Sequence, residues 1–287
     1  MADKRETDAV TGVSTTGHEW DGIKELDNPM PSWWLYTFYA CIAFAAVWVV
    51  LYPSLPFVRG VLGYTARNDF AGVMQEQQTR AAPMLARMSA ATPAEIAADP
   101  ELRGYALAGG RIAFATNCAG CHGSGGQGAV GGFPSLADDD WLYGGTFDAI
   151  HTTISVGARN GENPEARGVQ MPAFAAAGLT MPQIDDLAEF VLSLSGSGGD
   201  AAAAARGAPL YAENCAACHG EAGEGNRDLG APRLNDHIWL YGGDKASVVR
   251  TIAYSRAGVM PSWSARLDPA TINMLTVYVH ALGGGER

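Results

Sequence analysis

Cys118-Ala119-Gly120-Cys121-His122, which returns as Cys215-Ala216-Ala217-Cys218-His219, is the stretch from which the rest of the chain is read. In C-x-x-C-H two thiols stand one short turn apart, matching the spacing of the two vinyl groups of a haem. The histidine that follows can then bring a ring nitrogen to the iron. This is the pattern of covalent c-type haem attachment with a proximal histidine. A lone C-x-x-C would leave redox-dithiol and zinc readings open. Here both copies carry the histidine, and zinc would need a second cysteine pair at shorter range. The pattern predicts two covalently bound haem c groups, held by Cys118, Cys121, Cys215 and Cys218, with His122 and His219 as axial ligands.

The surrounding sequence repeats as well. Gly110, Phe114 and Asn117 stand eight, four and one residues before Cys118, and Gly207, Tyr211 and Asn214 stand at the same distances before Cys215. Trp141-Leu142-Tyr143-Gly144-Gly145 returns as Trp239-Leu240-Tyr241-Gly242-Gly243, and Met171-Pro172 as Met260-Pro261. Each copy closes on an amphipathic pattern, Leu187, Phe190, Val191 and Leu194 in one and Leu275, Tyr278, Val279 and Leu282 in the other. The offset is 97 at the cysteines, 98 at the tryptophans and 89 at the methionines. The first copy therefore has a loop longer by about nine residues within Gly157 to Gln170. Residues 195–199, Ser-Gly-Ser-Gly-Gly, form a flexible linker. Each copy is expected to be a small all-α cytochrome c domain that closes on its own haem, 99–195 the first and 200–287 the second. The glycine before each clip lets the closing helix approach.

A low-spin electron carrier needs a sixth ligand, and a thioether raises the reduction potential. Met171 and Met260 hold matching places, each stiffened by a following proline. Met181-Pro182 competes, but it has no counterpart in the second copy and falls where the closing helix should start. His151 and His237 lie between clip and methionine at non-equivalent positions and fit surface histidines better. Pro134 and Pro232 are placed to accept the second N–H of the proximal histidine. The Trp-Leu-Tyr-Gly-Gly stretches fit either core packing or cover for a haem edge. Arg159 and Arg167 could reach propionates.

Ahead of the repeat the chain changes character. Residues 1–31 are expected to form a polar, flexible tail. Residues 32–56 are a membrane anchor whose centre, Trp33 to Tyr52, is uncharged for 20 residues. As a helix that length covers about 30 Å, one hydrocarbon thickness. Trp33, Trp34 and Tyr36 at one end and Trp48 and Tyr52 at the other suit an aromatic belt. A signal peptide would not carry over thirty polar residues in front of it. Residues 57–98 form a connector, helical around Arg67 to Met88 and interrupted at Pro83, with a capping box at Thr92-Pro93-Ala94-Glu95. Of five cysteines only Cys41 lies outside the clips, so no disulfide framework is implied. The net charge of −11 argues against nucleic acid and for cationic partners. Residues 97–195 carry 4 basic and 11 acidic side chains, and residues 196–287 carry 8 and 9. Asp138-Asp139-Asp140 is the densest acidic run of the first copy, either a solvated loop or a landing point for a lysine-rich cytochrome c. The basic residues flanking the anchor do not set its orientation. Haem attachment outside the cytoplasmic membrane places the C-terminal bulk in the periplasm and the N-terminus in the cytoplasm.

Trp20-Asp21-Gly22-Ile23 and Asp27-Asn28-Pro29 before Trp33-Trp34, followed by one anchor and two haem clips, resemble CcoP (FixP), the dihaem subunit III family of bacterial cbb3-type cytochrome c oxidases. The resemblance covers nearly the whole chain. It implies an electron-transfer subunit of the inner membrane with no catalytic centre of its own. Its partners would be a donor cytochrome c, the monohaem cytochrome subunit, and a catalytic subunit that reduces oxygen. Two other readings are a dihaem cytochrome serving a periplasmic dehydrogenase, and a dihaem peroxidase or gas sensor. The last would need a five-coordinate iron, whereas both copies offer a methionine.

Overall fold

The computed structural model describes residues 5–286, which form eleven helices and one two-stranded hairpin. The chain divides into two compact units at Arg80/Ala81.

In the first unit, β1 (Thr15–Trp20) pairs antiparallel with β2 (Ile23–Leu26). Asp21 (φ 50°) and Gly22 (φ 83°) both have positive φ, as a two-residue type I′ hairpin turn demands. A stretch expected to be flexible is therefore ordered locally, and Asp-Gly is the signal in the sequence that could have found it. Helix α1 (Ser32–Leu51) carries no charge and buries none of its residues within the protein. It is long and apolar enough to cross a membrane. Just past Pro53 and Pro56 the chain turns back, and the amides of Val61 and Leu62 donate to the carbonyls of Val50 (2.9 Å) and Leu51 (3.0 Å). Two carbonyls left open by the helix end are satisfied this way.

Helix α2 (Ala66–Ala90) runs on through Pro83 instead of breaking there. Its end is not a loose spacer. Met88 is fully buried, and with Ile96, Ala106, Met274 and Val277 it forms one apolar cluster. Asn273 Nδ2 donates to the Met88 carbonyl (2.8 Å) and pins α2 to the last helix. The expected capping box starts α3 (Pro93–Ala98), with Thr92 and Glu95 bonding reciprocally. Asp99 caps α4 (Pro100–Asn117) through the amides of Glu101 and Leu102. Each clip is a single turn, α5 (Ala119–His122) after α4 and α9 (Ala216–His219) after α8 (Ala201–Asn214). Helices α6 (Phe147–Val156) and α10 (Lys245–Tyr254) follow the clips, and α7 (Met181–Leu194) and α11 (Pro269–His280) close the copies.

The closing helices are exchanged between the copies, contrary to the expectation that each copy closes on itself. α4 packs against α11, and α8 against α7. A Cβ on Gly110 would lie 2.4 Å from the Met274 carbonyl oxygen and 2.6 Å from Tyr278 Cβ. One on Gly207 would lie 2.3 Å from the Asp186 carbonyl oxygen and 3.0 Å from Phe190 Cβ. The two glycines do admit a close helix, but each admits the one from the other copy. Linker length explains the choice. Six residues separate α7 from α8, which favours an antiparallel neighbour pair. With α7 taken by α8, α4 is left for α11. Equivalent contacts make the exchange inexpensive: Phe114 meets Tyr278 at 5.4 Å and Tyr211 meets Phe190 at 5.0 Å between ring centroids.

Candidate functional site

The exchange yields two lobes. One is discontinuous: Phe114, Ile150, Ile154, Ile272, Leu275 and Val279 form its core, with Cys118, Trp141, Met260 and Trp263 packed around it. The other is continuous along the chain and is built on Ile184, Leu187, Val191, Tyr211, Cys215, Val248 and Ile252, with Met171 against it. A cavity of about 660 Å³ runs between them, and both clips, both proximal-histidine candidates and both methionines line it.

Each clip histidine is anchored at one nitrogen only. His122 Nδ1 lies 3.0 Å from the Pro134 carbonyl oxygen and His219 Nδ1 lies 2.9 Å from that of Pro232. A carbonyl can only accept, so Nδ1 carries the proton and Nε2 keeps its lone pair. Burial pushes both imidazole pKa values down, and the proline carbonyls oppose it more weakly. Both rings are thus held as neutral, oriented ligands, as a metal-bound histidine requires. Burial likewise raises the thiols of Cys118 and Cys215 to about 11, with the second cysteine of each clip adding to the shift. Paired thiols on one turn, a neutral imidazole aimed from a fixed backbone anchor and a largely apolar chamber suit a covalently held haem. Among the described residues no His, Cys, Asp and Glu cluster could hold a bare metal ion.

Both methionines are presented by the same device. In one lobe Trp263 N and Ser264 N donate to the carbonyls of Ile154 and Ser155, each at 3.2 Å. In the other, Phe174 N and Ala175 N donate to Ile252 (3.1 Å) and Ala253 (3.3 Å). The residues three and four past each methionine are thereby tied to the end of the helix that follows the other copy's clip. Met260 and Ala158 also exchange both backbone hydrogen bonds (2.9 and 3.0 Å), and Asn160 Nδ2 donates to the Met260 carbonyl (2.8 Å). The longer loop of the first copy holds the methionine of the second. On its side, Ser255 Oγ donates to the Met171 carbonyl.

The competing residues fall elsewhere. Met181 is the exposed first residue of α7. His151 and His237 lie outside the cavity wall. His280 stacks on Phe147 at 3.8 Å and bonds the Glu286 carbonyl. Trp141 does line the cavity, and its Nε1 donates to the Gly284 carbonyl (2.6 Å), so it also ties the first copy to the C-terminal segment. Of the two loop arginines, Arg159 reaches the cavity, whereas Arg167 lies over the Tyr143 ring. Arg256, passed over in the sequence, lines the cavity too. Its only sequence signal is that both it and Arg159 follow the helix after a clip by two or three residues.

Three family descriptions match successive parts of the chain. They are the N-terminal domain of cytochrome oxidase-cbb3, FixP, over residues 12–59, cytochrome c over residues 106–195, and cytochrome c oxidase, cbb3-type, subunit III, over residues 202–279. The chain is 50% identical to the cbb3-type cytochrome c oxidase subunit CcoP of Azospirillum sp. (strain B510), covering 97% of this chain and 98% of that one. It is also 50% identical to CcoP of Cereibacter sphaeroides, covering 95% of each. Identity to subunit FixP of Bradyrhizobium diazoefficiens is 48% over the full length of both.

Proposed function

The chain belongs to the CcoP/FixP family of cbb3-type cytochrome c oxidase subunits, and from that premise we propose that it is the oxidase's two-haem electron-entry arm. It is a membrane-anchored cytochrome c, and its cytochrome c domains imply covalently bound haem c. Two haems follow from two clips. Cys118 and Cys121 hold one and Cys215 and Cys218 the other, with His122 and His219 as proximal ligands. Haem in these sites supplies a one-electron couple. The residues of the chain would attach it, orient the imidazole through Pro134 or Pro232, exclude water, and offer a methionine thioether as a further ligand.

The paired backbone hydrogen bonds beyond each methionine carry the ligand assignment. Met260 sits in the lobe of Cys118 and His122, and Met171 in the lobe of Cys215 and His219. Haem iron would then be held by His122 and Met260 in one lobe and by His219 and Met171 in the other, a histidine from one copy with a methionine from the other. The boundaries at 99–195 and 200–287 mark sequence copies, and the folding lobes cross them.

The chain would accept electrons from a periplasmic donor cytochrome and pass them on to the monohaem and catalytic subunits of the oxidase, where oxygen is reduced. The haem lobes are periplasmic and the N-terminus cytoplasmic, since attachment chemistry lies outside the inner membrane. No catalytic centre of its own is required. Purification through a tag on this chain tests the proposal. Two haems per chain by intact mass and co-purified oxygen-reducing activity are expected. A protein without covalent haem, or one isolated with a dehydrogenase and no oxidase, would refute it.

A further inference from the structure

We infer that Arg159 and Arg256 together form a carboxylate-binding clamp in the cavity, positioned for the propionate groups of the haem cofactors. The inference rests on the haem-carrying reading above and assigns residues that attachment and ligation leave unused.

Both arginines line the cavity, and both are half-buried. Neither has a carboxylate partner among the described residues, although ten other ion pairs occur there. What holds them is neutral. Arg159 Nε donates to the Gly258 carbonyl (2.7 Å) and its Nη1 to the Tyr143 hydroxyl (2.9 Å). Arg256 lies 4.8 Å over the Tyr241 ring centroid, with Nε on Thr251 Oγ1 (3.1 Å) and Nη2 on the Ser247 carbonyl (2.7 Å). Arg159 Nη2 and Arg256 Nη1 donate to no residue described. Neutral acceptors fix each fork without cancelling its charge.

Arg159 reaches the loop that carries Arg256, since the Gly258 carbonyl it binds stands two residues past Arg256. Burial raises the pKa of the Tyr241 phenol, and Arg159 and Arg256 both pull it back. Two like charges drawn toward one hydroxyl in a largely apolar chamber are costly unless an anion completes them. Guanidinium forks match the planar, two-oxygen geometry of a carboxylate, and haem brings carboxylates into this chamber. Asp140, the acid on the same wall, responds to Arg233 and Arg227 rather than to this pair.

A positive charge beside a haem favours the reduced form, so removing it should lower the potential. The test is redox potentiometry of the full-length, detergent-solubilised holoprotein carrying Arg159→Met, Arg256→Met or both, beside Arg159→Lys, Arg256→Lys and a control, Arg111→Met, on the exposed face of α4. One midpoint potential should fall in each Met variant, both should fall in the double, and the Lys variants should recover most of the loss. Unchanged potentials in the double variant, with both haems attached, would overturn the clamp. If a Met variant fails to accumulate, Arg159→Gln and Arg256→Gln, which lose the charge but keep a polar side chain, decide: potentials below wild type by more than the Arg111→Met control support the clamp, and equality overturns it. A wild-type potential that moves on adding inorganic phosphate, while the double variant does not respond, would give the site to a free anion and overturn the propionate assignment. Absence of covalent haem from wild type would instead refute the haem-carrying reading itself.

Discussion

Gly207→Ala puts the exchanged helix pair under direct strain. By helix propensity alone the substitution should stabilise α8 by about 1 kcal/mol. The new Cβ, however, would lie 2.3 Å from the Asp186 carbonyl oxygen and 2.7 Å from its carbon. Both are backbone atoms of α7 and cannot rotate away. The helices must separate by about 1 Å, enough to forfeit a quarter to a half of the dispersion energy at their closest contacts. Phe190 and Tyr211, 5.0 Å apart at their centroids, lie in that seam. Overpacking of this kind costs about 1–3 kcal/mol, and the melting temperature should drop by about 2–12 °C. Gly104→Ala is the matched control. Gly104 lies in α4 with nothing within 4 Å of its added Cβ, so it should hold or raise the melting temperature. Thermal unfolding of the holoprotein, followed by circular dichroism in the haem bands, reads both. A Gly207→Ala protein as stable as Gly104→Ala would refute the close α7–α8 contact.

Two further predictions concern the acidic edge. Changing Asp138, Asp139 and Asp140 to Asn should flatten the fall of electron-entry rate with salt while leaving the haem spectra intact, because steering by a basic donor fades as the screening length shrinks from about 10 Å at 0.1 M salt to 3 Å at 1 M. An unchanged salt slope would move the docking site elsewhere. Asp140 also has its carboxyl raised to about 6 by burial, with Asp236 and Asp138 adding to the shift. A raised folded-state pKa gives stability that is complete below the ordinary value near 3.8 and is lost as pH rises through about 6. Asp140→Asn should remove that loss, so the variant gains on wild type between those pH values in denaturant melts; parallel curves would contradict it.

Much of the candidate site was legible because the clip residues, which the structure brings to one cavity, form a fixed local pattern. Cys118 to His122 and Cys215 to His219 name themselves, and the proline carbonyls fall where a neutral imidazole needs an acceptor. Helix starts at Thr92 and Asp99 were equally legible, since caps act within four residues. What escaped was long-range pairing. Two nearly equivalent copies carry the same glycine, aromatic and methionine signals, so each closing helix fits either partner. The six residues between α7 and α8 decide between them. The hairpin at Asp21-Gly22 was hidden by its charged surroundings, and Arg256 by having no neighbour in sequence that reveals where its charge goes.

The exchange of ligands can be measured directly in protein restricted to one haem. With Cys215 and Cys218 both changed to Ala, only the haem on Cys118 and Cys121 remains, and its sulfur-to-iron absorption band in the red reports the methionine ligand. Met260→Leu in that background should abolish the band, and Met171→Leu should leave it. With Cys118 and Cys121 changed instead, the dependence should reverse. A band that is lost with Met171 while the Cys118 haem alone is present would mean that each copy ligates its own iron, and the crossed lobes would be wrong.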